Sequence, residues 1–267
     1  MRQNRNPGES APSTDDSQFV TALARGMEVL DACARAGKPI GNSEIAALTG
    51  LPAPTVSRLT LTLYSLGYLQ FLQRERLYTV GPRAAGLSAT ILRGLSVRRL
   101  ARPEMDALAQ DAHFNVGLGT RDGEMMVYVD TFEGEALIGL RLRAGSRIPI
   151  PTSAMGRAWL AAAPEPERTT LLDALRPRYG DEWRMIMTGI EQAARDIAAR
   201  GYCISLGDWQ KDIHGIAAPL TDPATGTVYA INLGGPAYML TEASLRDDLA
   251  PRLLAITGRI KAQLGDT

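Results

Sequence analysis

The sequence predicts an α+β protein in two parts: a small helical unit closed by a hairpin, then a larger unit built on an antiparallel sheet. Three observations predict it. Apolar residues recur at spacings of three and four between residues 19 and 66, which is the helical period. Two short strand-like segments around a charged tip follow them. Beyond residue 114, runs of strand-like sequence are interleaved with helical ones, as expected when helices pack on a sheet. With 267 residues, 45% hydrophobic and 22% charged, the chain is long enough for two cores.

The first 17 residues, MRQNRNPGESAPSTDDS, are polar, contain Pro and Gly, and lack a signal peptide's apolar core, so they read as a flexible arm. From Phe19 to Ala36, Leu23, Met27, Leu30 and Ala34 form the apolar stripe expected of a first helix, which Gly37-Lys38-Pro39 ends. Gly41 or Asn42 caps a short second helix, Ser43 to Thr49, with Ile45, Ala46 and Leu48 expected inward and Gly50 at its C-terminus. A third helix, Pro54 to Gly67, opens on a proline, tolerated in a first turn because its missing N–H costs nothing there. Val56, Leu59, Leu63 and Leu66 are its expected buried stripe.

The opposite side of that helix carries Ala53, Thr55, Ser57, Arg58 and Thr62, a small, polar face with no acid. Small residues permit close approach, hydroxyls bond phosphates, and Arg can fork onto guanine. Two short helices joined by a Gly turn, the second with such a face, form a helix-turn-helix pattern. Residues 68–72 and 77–80 then read as strands of a wing around Gln73-Arg74-Glu75-Arg76. Arg74 and Arg76 suit phosphate or a minor groove, although a solvated hairpin tip explains the same residues equally well. The candidate contacts to double-stranded DNA are therefore Asn42, Ala53, Pro54, Thr55, Ser57, Arg58, Thr62, Arg74 and Arg76. Because 29 basic residues balance 29 acidic ones, binding must come from local arginines rather than bulk charge.

A helical stretch from Arg83 to Leu95 repeats Leu87, Ile91 and Leu95 every four residues and is followed by Arg98, Arg99 and Arg102. It reads either as a solvated basic linker or as a dimer-forming helix whose arginines, Arg93 included, add phosphate contacts. A helix over 96–113 and strands at Asn115 to Gly119, Glu124 to Phe132 and Ala136 to Leu142 come next, with turns at Arg121-Asp122-Gly123 and Glu133-Gly134. Helices are expected over 154–163, 165–175 and 188–200. Strands at Ile213 to Leu220 and Thr227 to Gly234 precede a final helix over 242–264.

The segment from Ala22 to Pro82 resembles the DNA-binding half of the IclR family of bacterial transcription regulators, which share "RG..VL", "EIA..TGLP..TV.RL...L...GYL" and a wing ending "Y.LG". Residues 149–160 are similar to the family's "PL..tA.GkA.LA", residues 200–219 to "RGYA.....E...G..CIAAP", and residues 229–236 to "aaisvsGP". The resemblance implies a winged helix-turn-helix at 18–81, a linker helix at 82–98 and a GAF-like effector domain at 99–265. It also implies a homodimer or dimer of dimers on a palindromic operator. Position by position, it places an effector pocket on Ala154, Met155, Ser205, Gly215, Asn232 and Gly234, with Asp208 at a usually acidic position. Independently of the family, a capping Ser or Thr ahead of small residues presents backbone N–H groups at a helix N-terminus, where a carboxylate is favoured. An ordinary cap facing water or protein fits that segment too.

Gly207 replaces the first of a frequent acidic pair, and Asn232 and Gly234 stand where many relatives carry small hydroxyl residues. Trp209 adds a stacking face. Together these predict a roomier pocket, for an aromatic or otherwise bulky organic acid, although Trp209 equally suits packing. An effector of this kind would shift the balance between DNA-competent and incompetent arrangements.

An enzyme is the competing class. Gly117-Leu118-Gly119-Thr120-Arg121-Asp122-Gly123 is a poor dinucleotide loop, with its third Gly one residue late and a strand following. No hydrolase triad or phosphate loop is spaced correctly, and His214 near Asp212 is the one proton-transfer pair. Two separated cysteines and two histidines make a metal site unlikely, and no cofactor is expected. With no apolar run long enough for a membrane span, a cytoplasmic, non-enzymatic regulator is the expectation. A DNA-tethered regulator without a small ligand is the alternative.

Overall fold

The computed structural model describes residues 19–134 and 142–265. The expected N-terminal arm, and all but the last residue of the strand expected at Ala136 to Leu142, lie outside those residues. Backbone contacts divide the chain between Ile91 and Leu92, so each unit is taken by itself.

In the first unit α1 (Thr21–Ala36), α2 (Asn42–Thr49) and α3 (Ala53–Ser65) precede a two-stranded wing, β1 (Leu69–Leu72) and β2 (Leu77–Val80). Gly50 ends α2 at φ 68, where its N–H closes on the Ala46 carbonyl at 2.9 Å; the left-handed backbone there admits a glycine without strain. Pro54 sits in the first turn of α3, which begins one residue earlier than expected. The core is Val29, Cys33, Ile40, Ile45, Val56, Leu63 and Leu69. Ile40 and Tyr78 exchange backbone hydrogen bonds of 2.9 and 2.8 Å, stitching the α1–α2 turn to the wing.

This core corrects three expected faces. In α1 the buried residues are Val29, Ala32 and Cys33, while Leu23 and Met27 face outward at 66% and 55% exposure. Apolar residues surround that helix, so periodicity alone offers two faces. Leu48 and Leu66 are also exposed; the wall contacts belong instead to Ile45 and to Thr60, which is fully buried.

Helix α4 (Pro82–Gly94) spans the division, and Leu87 and Ile91 lie exposed on it. The second unit contains α5 (Ser96–Ala112), β3 (Asn115–Asp122), β4 (Met125–Phe132), β5 (Arg147–Pro149), α6 (Ala154–Ala162), α7 (Glu165–Tyr179), a 3-10 turn (Gly180–Glu182) and α8 (Trp183–Arg200). Strands β6 (Cys203–Leu206), β7 (Ile213–Thr221) and β8 (Val228–Pro236) follow. The chain closes with α9 (Glu242–Ser244), a π-turn at Leu245–Leu249 and α10 (Ala250–Gly265). Strands β5 and β6 are additions to the expected set, and the β3–β4 turn falls at Gly123-Glu124. Both strands are short, three and four residues, which is why neither stands out in the sequence.

The sheet is antiparallel throughout its pairings, in the order β5-β4-β3-β8-β7-β6. Strand alternation sends Ile216, Ala218, Leu220, Ile231 and Leu233 to a core with α5 and α10. Ala217 and Ala230 turn to the other face, toward α6 and α8. Asn232 and Gly234 share the parity of Ala230 and so face the α6 side as well.

Candidate functional site

Two surfaces gather the residues singled out in the sequence. On α3, Ala53, Pro54, Ser57, Arg58 and Thr62 are exposed and Thr55 is half-buried. Arg58, Arg74 and Arg76 are exposed and meet no acid among the described residues, with Arg76 at the wing tip at φ 57. Asn42 is half-buried, with both ends of its amide engaged within the unit. Its Nδ2 donates to Ser57 Oγ at 3.0 Å and its Oδ1 accepts from the Thr60 hydroxyl at 3.2 Å, so it braces α2 against α3 and leaves Ser57 its own proton to donate. The Thr62 hydroxyl is turned back onto the Arg58 carbonyl at 2.9 Å.

The linker arginines need correction. Arg98 and Arg102 lie 3.0 and 2.7 Å from Asp130, a buried carboxylate on β4, which commits both to the second unit rather than to phosphate. Of the others, Arg99 is exposed.

The second surface is a cavity between the sheet and the N-terminus of α6. Ala154, Met155, Ser205, Trp209, Gly215, Asn232 and Gly234 all line it. Ser153 caps α6, accepting from Gly156 N–H at 3.1 Å and donating to the Pro149 carbonyl at 2.6 Å. As the first two residues of the helix, Ala154 and Met155 carry amides without an intrahelical acceptor. Gly215 and Gly234 pair across β7 and β8, Gly215 beside Ala154 and Gly234 beside Asn232. Gly156 has a packing role: a Cβ there would stand 2.2 Å from the Ile150 carbonyl oxygen.

Asp208 is absent from the cavity lining. Its carboxylate accepts from Arg157 at 2.6 Å and from the Ser205 hydroxyl at 3.2 Å, while Arg157 Nε donates to the Pro151 carbonyl at 2.9 Å. Arg157 is almost fully buried, so this pair anchors the loop carrying Trp209 from behind the cavity.

The cavity is not roomy. Met155 takes the space of a Gly119 side chain and Phe114 that of Gly235, and the cavity's free volume is about 60 Å³. That compares with the ~150 Å³ of an apolar cavity that takes up benzene.

Sequence reasoning missed Tyr128, Phe114 and His214 as lining residues. A signal for Tyr128 was present: Gly117 and Gly119 share one face of β3, and the Tyr128 ring occupies the space where a Gly117 side chain would stand. Burial pushes the Tyr128 phenol well above its usual range, so it stays protonated. His214 is not paired with Asp212; its Nδ1 donates to the Leu240 carbonyl at 2.7 Å. The glycine run at 117–119 lies within a strand and heads no helix. Among the described residues, no helix is long and apolar enough to cross a membrane.

Comparison with known proteins places these surfaces in context. Residues 89–262 match the family model described as bacterial transcriptional regulator IclR C-terminal, and residues 22–73 match the IclR helix-turn-helix domain. The HTH-type transcriptional regulator TsaQ1/TsaQ2 of Comamonas testosteroni is 34% identical, over 92% of this chain and 89% of its own length. The Pca regulon regulatory protein of Pseudomonas putida is 26% identical, over 94% and 86%. An IclR family transcriptional regulator from Brucella abortus superposes with a TM-score of 0.84 at 42% identity, covering 96% of each chain. An IclR homolog from Microbacterium hydrocarbonoxydans, solved with 4-hydroxybenzoate, shares the fold at 20% identity and a TM-score of 0.75, over 92% and 100%.

Proposed function

The chain belongs to the IclR family of transcriptional regulators, and from that premise we propose that a small organic acid bound in the α6 cavity controls operator binding by α3. The observation that carries this reading is the meeting of an α-helix N-terminus with a cavity floored by two paired glycines. The amides of Ala154 and Met155 and the positive end of the α6 dipole favour a carboxylate there. Arg58, with Thr55 and Ser57 beside it, reads or holds the DNA, and Arg74 and Arg76 of the wing add phosphate contacts.

Two such helices are placed on a palindromic site by a homodimer, and the exposed Leu87 and Ile91 of α4 suit that pairing. Regulation without catalysis, in the cytoplasm, completes the proposal. That one relative is named for the Pca regulon and one structural neighbour holds 4-hydroxybenzoate makes ring-bearing acids worth testing. Given a free volume of about 60 Å³, a ring enters this cavity only if Met155 or Trp209 gives way.

The test begins with an operator selected by the full-length protein from a random duplex pool. Carboxylic acids are then titrated while thermal stability, tryptophan fluorescence and operator affinity are followed, with Trp209→Phe as control. A ligand bound only to the folded state raises stability by mass action. An acid that does so and shifts operator affinity by roughly fivefold or more supports the proposal. Acids that bind without moving operator affinity refute effector control. A panel in which nothing binds leaves a DNA-tethered regulator without a small ligand.

A further inference from the structure

Strand β4 does not alternate regularly. Its register against β3 slips between Leu118 and Gly119, which pair with Asp130 and Tyr128, so Val129 is the extra residue of a β-bulge. Tyr128 and Thr131 line the cavity on the α6 side, whereas Val129 packs in the core with α5 and Asp130 meets the arginines of α5 on that same face. Strict alternation would put Asp130 on the face of Tyr128, beside the proposed acid site. The bulge carries that carboxylate to α5 instead.

There it meets the joint between two helices. The chain passes from α4 to α5 through one non-helical residue, Leu95, and Leu92 and Leu95 both pack against the core that holds Val129. Among the described residues no side chain caps α5, and its first turn carries Arg98 and Arg99 without an acid, which the helix dipole disfavours. Asp130 supplies the anion: Arg98 Nε lies 3.0 Å and Arg102 Nη1 2.7 Å from its Oδ2. Arg98 Nε is buried and not aligned for a hydrogen bond, so charge is what holds it. From that position Arg98 Nη1 reaches back to the Leu92 carbonyl at 3.5 Å, one of those that the last turn of α4 leaves without a helical donor.

We propose that Asp130 is a positioning residue for DNA binding: through Arg98 its charge fixes the direction in which α4 leaves the second unit, and α4 is the chain's route to the reading helix. With that direction fixed, two copies of α3 keep the separation that a palindromic site demands. The proposal rests on the two-headed operator reading above and adds what holds the heads in register.

Hydrogen exchange and DNA binding of two full-length variants test it. Asp130→Asn keeps the shape and an acceptor for Arg102 but removes the charge. Arg98→Met leaves Asp130 paired with Arg102, which spares the fold, and removes only the reach to α4. In both, amide exchange over residues 88–98 is expected to rise roughly fivefold or more. Affinity for the selected operator is expected to fall by roughly fivefold or more. Random duplex, held by phosphate contacts that neither change touches, should bind within about twofold of the unaltered protein. If Asp130→Asn fails to fold in urea melts, Arg98→Met decides. Unchanged exchange or unchanged operator affinity in Arg98→Met overturns the proposal, and so do equal losses on operator and random duplex, which mark a merely structural role. A gain on both duplexes in Asp130→Asn overturns it in favour of arginines released to phosphate. Light scattering separates the two readings: an unchanged operator affinity in a protein that is monomeric means that the two-headed reading has failed and positioning with it, whereas in a dimer positioning alone has failed.

Discussion

Arg157 and Asp208 form an ion pair whose two ends sit in different surroundings, and that asymmetry makes a quantitative prediction. The Arg157 side chain is 7% exposed and the Asp208 side chain 42%. Changing Asp208 to Asn keeps an acceptor for the guanidinium but strips a buried cation of its counter-charge, for which breaking a buried pair typically costs ~3–5 kcal/mol. Because Asp208 itself is half-exposed, the lower end, about 3 kcal/mol, is expected here. Changing Arg157 to Met preserves bulk and lets the half-exposed Asp208 turn to water; what is lost is the partner of the Pro151 carbonyl and one charged hydrogen bond, about 1–2 kcal/mol. The double variant should return close to the Arg157→Met value, giving a coupling nearly as large as the Asp208→Asn loss itself. All three tryptophans, Trp159, Trp183 and Trp209, belong to the second unit, so urea melts followed by tryptophan fluorescence isolate it from the DNA-binding helices. An Arg157→Met loss equal to or greater than that of Asp208→Asn would refute the reasoning.

Four further outcomes are expected. Arg58→Ala should cost ~1–3 kcal/mol on a selected operator and far less on random duplex in gel-shift titrations; equal losses would assign Arg58 to the phosphate backbone. Gly156→Ala sets a methyl against the Ile150 backbone and should destabilise the second unit by about 3 kcal/mol, seen in the same urea melts; a near-neutral result would mean that α6 can slide. Asn42→Ala removes both side-chain bonds between α2 and α3, at about 1–2 kcal/mol by circular dichroism melts, and an unchanged melt would show the brace to be dispensable. Burial pushes the Cys203 thiol from near 9 up to about 12, so above pH 9 the unfolded chain holds fewer protons than the folded one and stability falls as pH rises. That thiol alone contributes a negative slope that steepens through this range toward about −1 kcal/mol per pH unit, which Cys203→Ala should remove from urea midpoints measured between pH 9 and 10.5.

Elements with local signals are legible in the sequence. Gly50 marks the end of α2 because only its backbone takes φ 68 without strain, Pro54 marks the start of α3, and alternation around Arg74 and Arg76 marks the wing. All eight proposed effector residues are legible in the sequence, most of them by family resemblance, and seven of them line one cavity. Their neighbours Phe114, Tyr128 and His214 went unseen because strand pairing brings them in from residues far apart in the chain. Tertiary structure alone decided which face of α1 is buried, since both faces are apolar and only the positions of Ile45, Val56 and Leu69 choose between them. It also decided the fate of charge. Arg102 finds Asp130 28 residues away and Arg157 finds Asp208 51 away, contacts between side chains whose partners no periodicity encodes. Free volume in the cavity was settled the same way, because the space a glycine vacates belongs to whichever large side chain packing brings beside it.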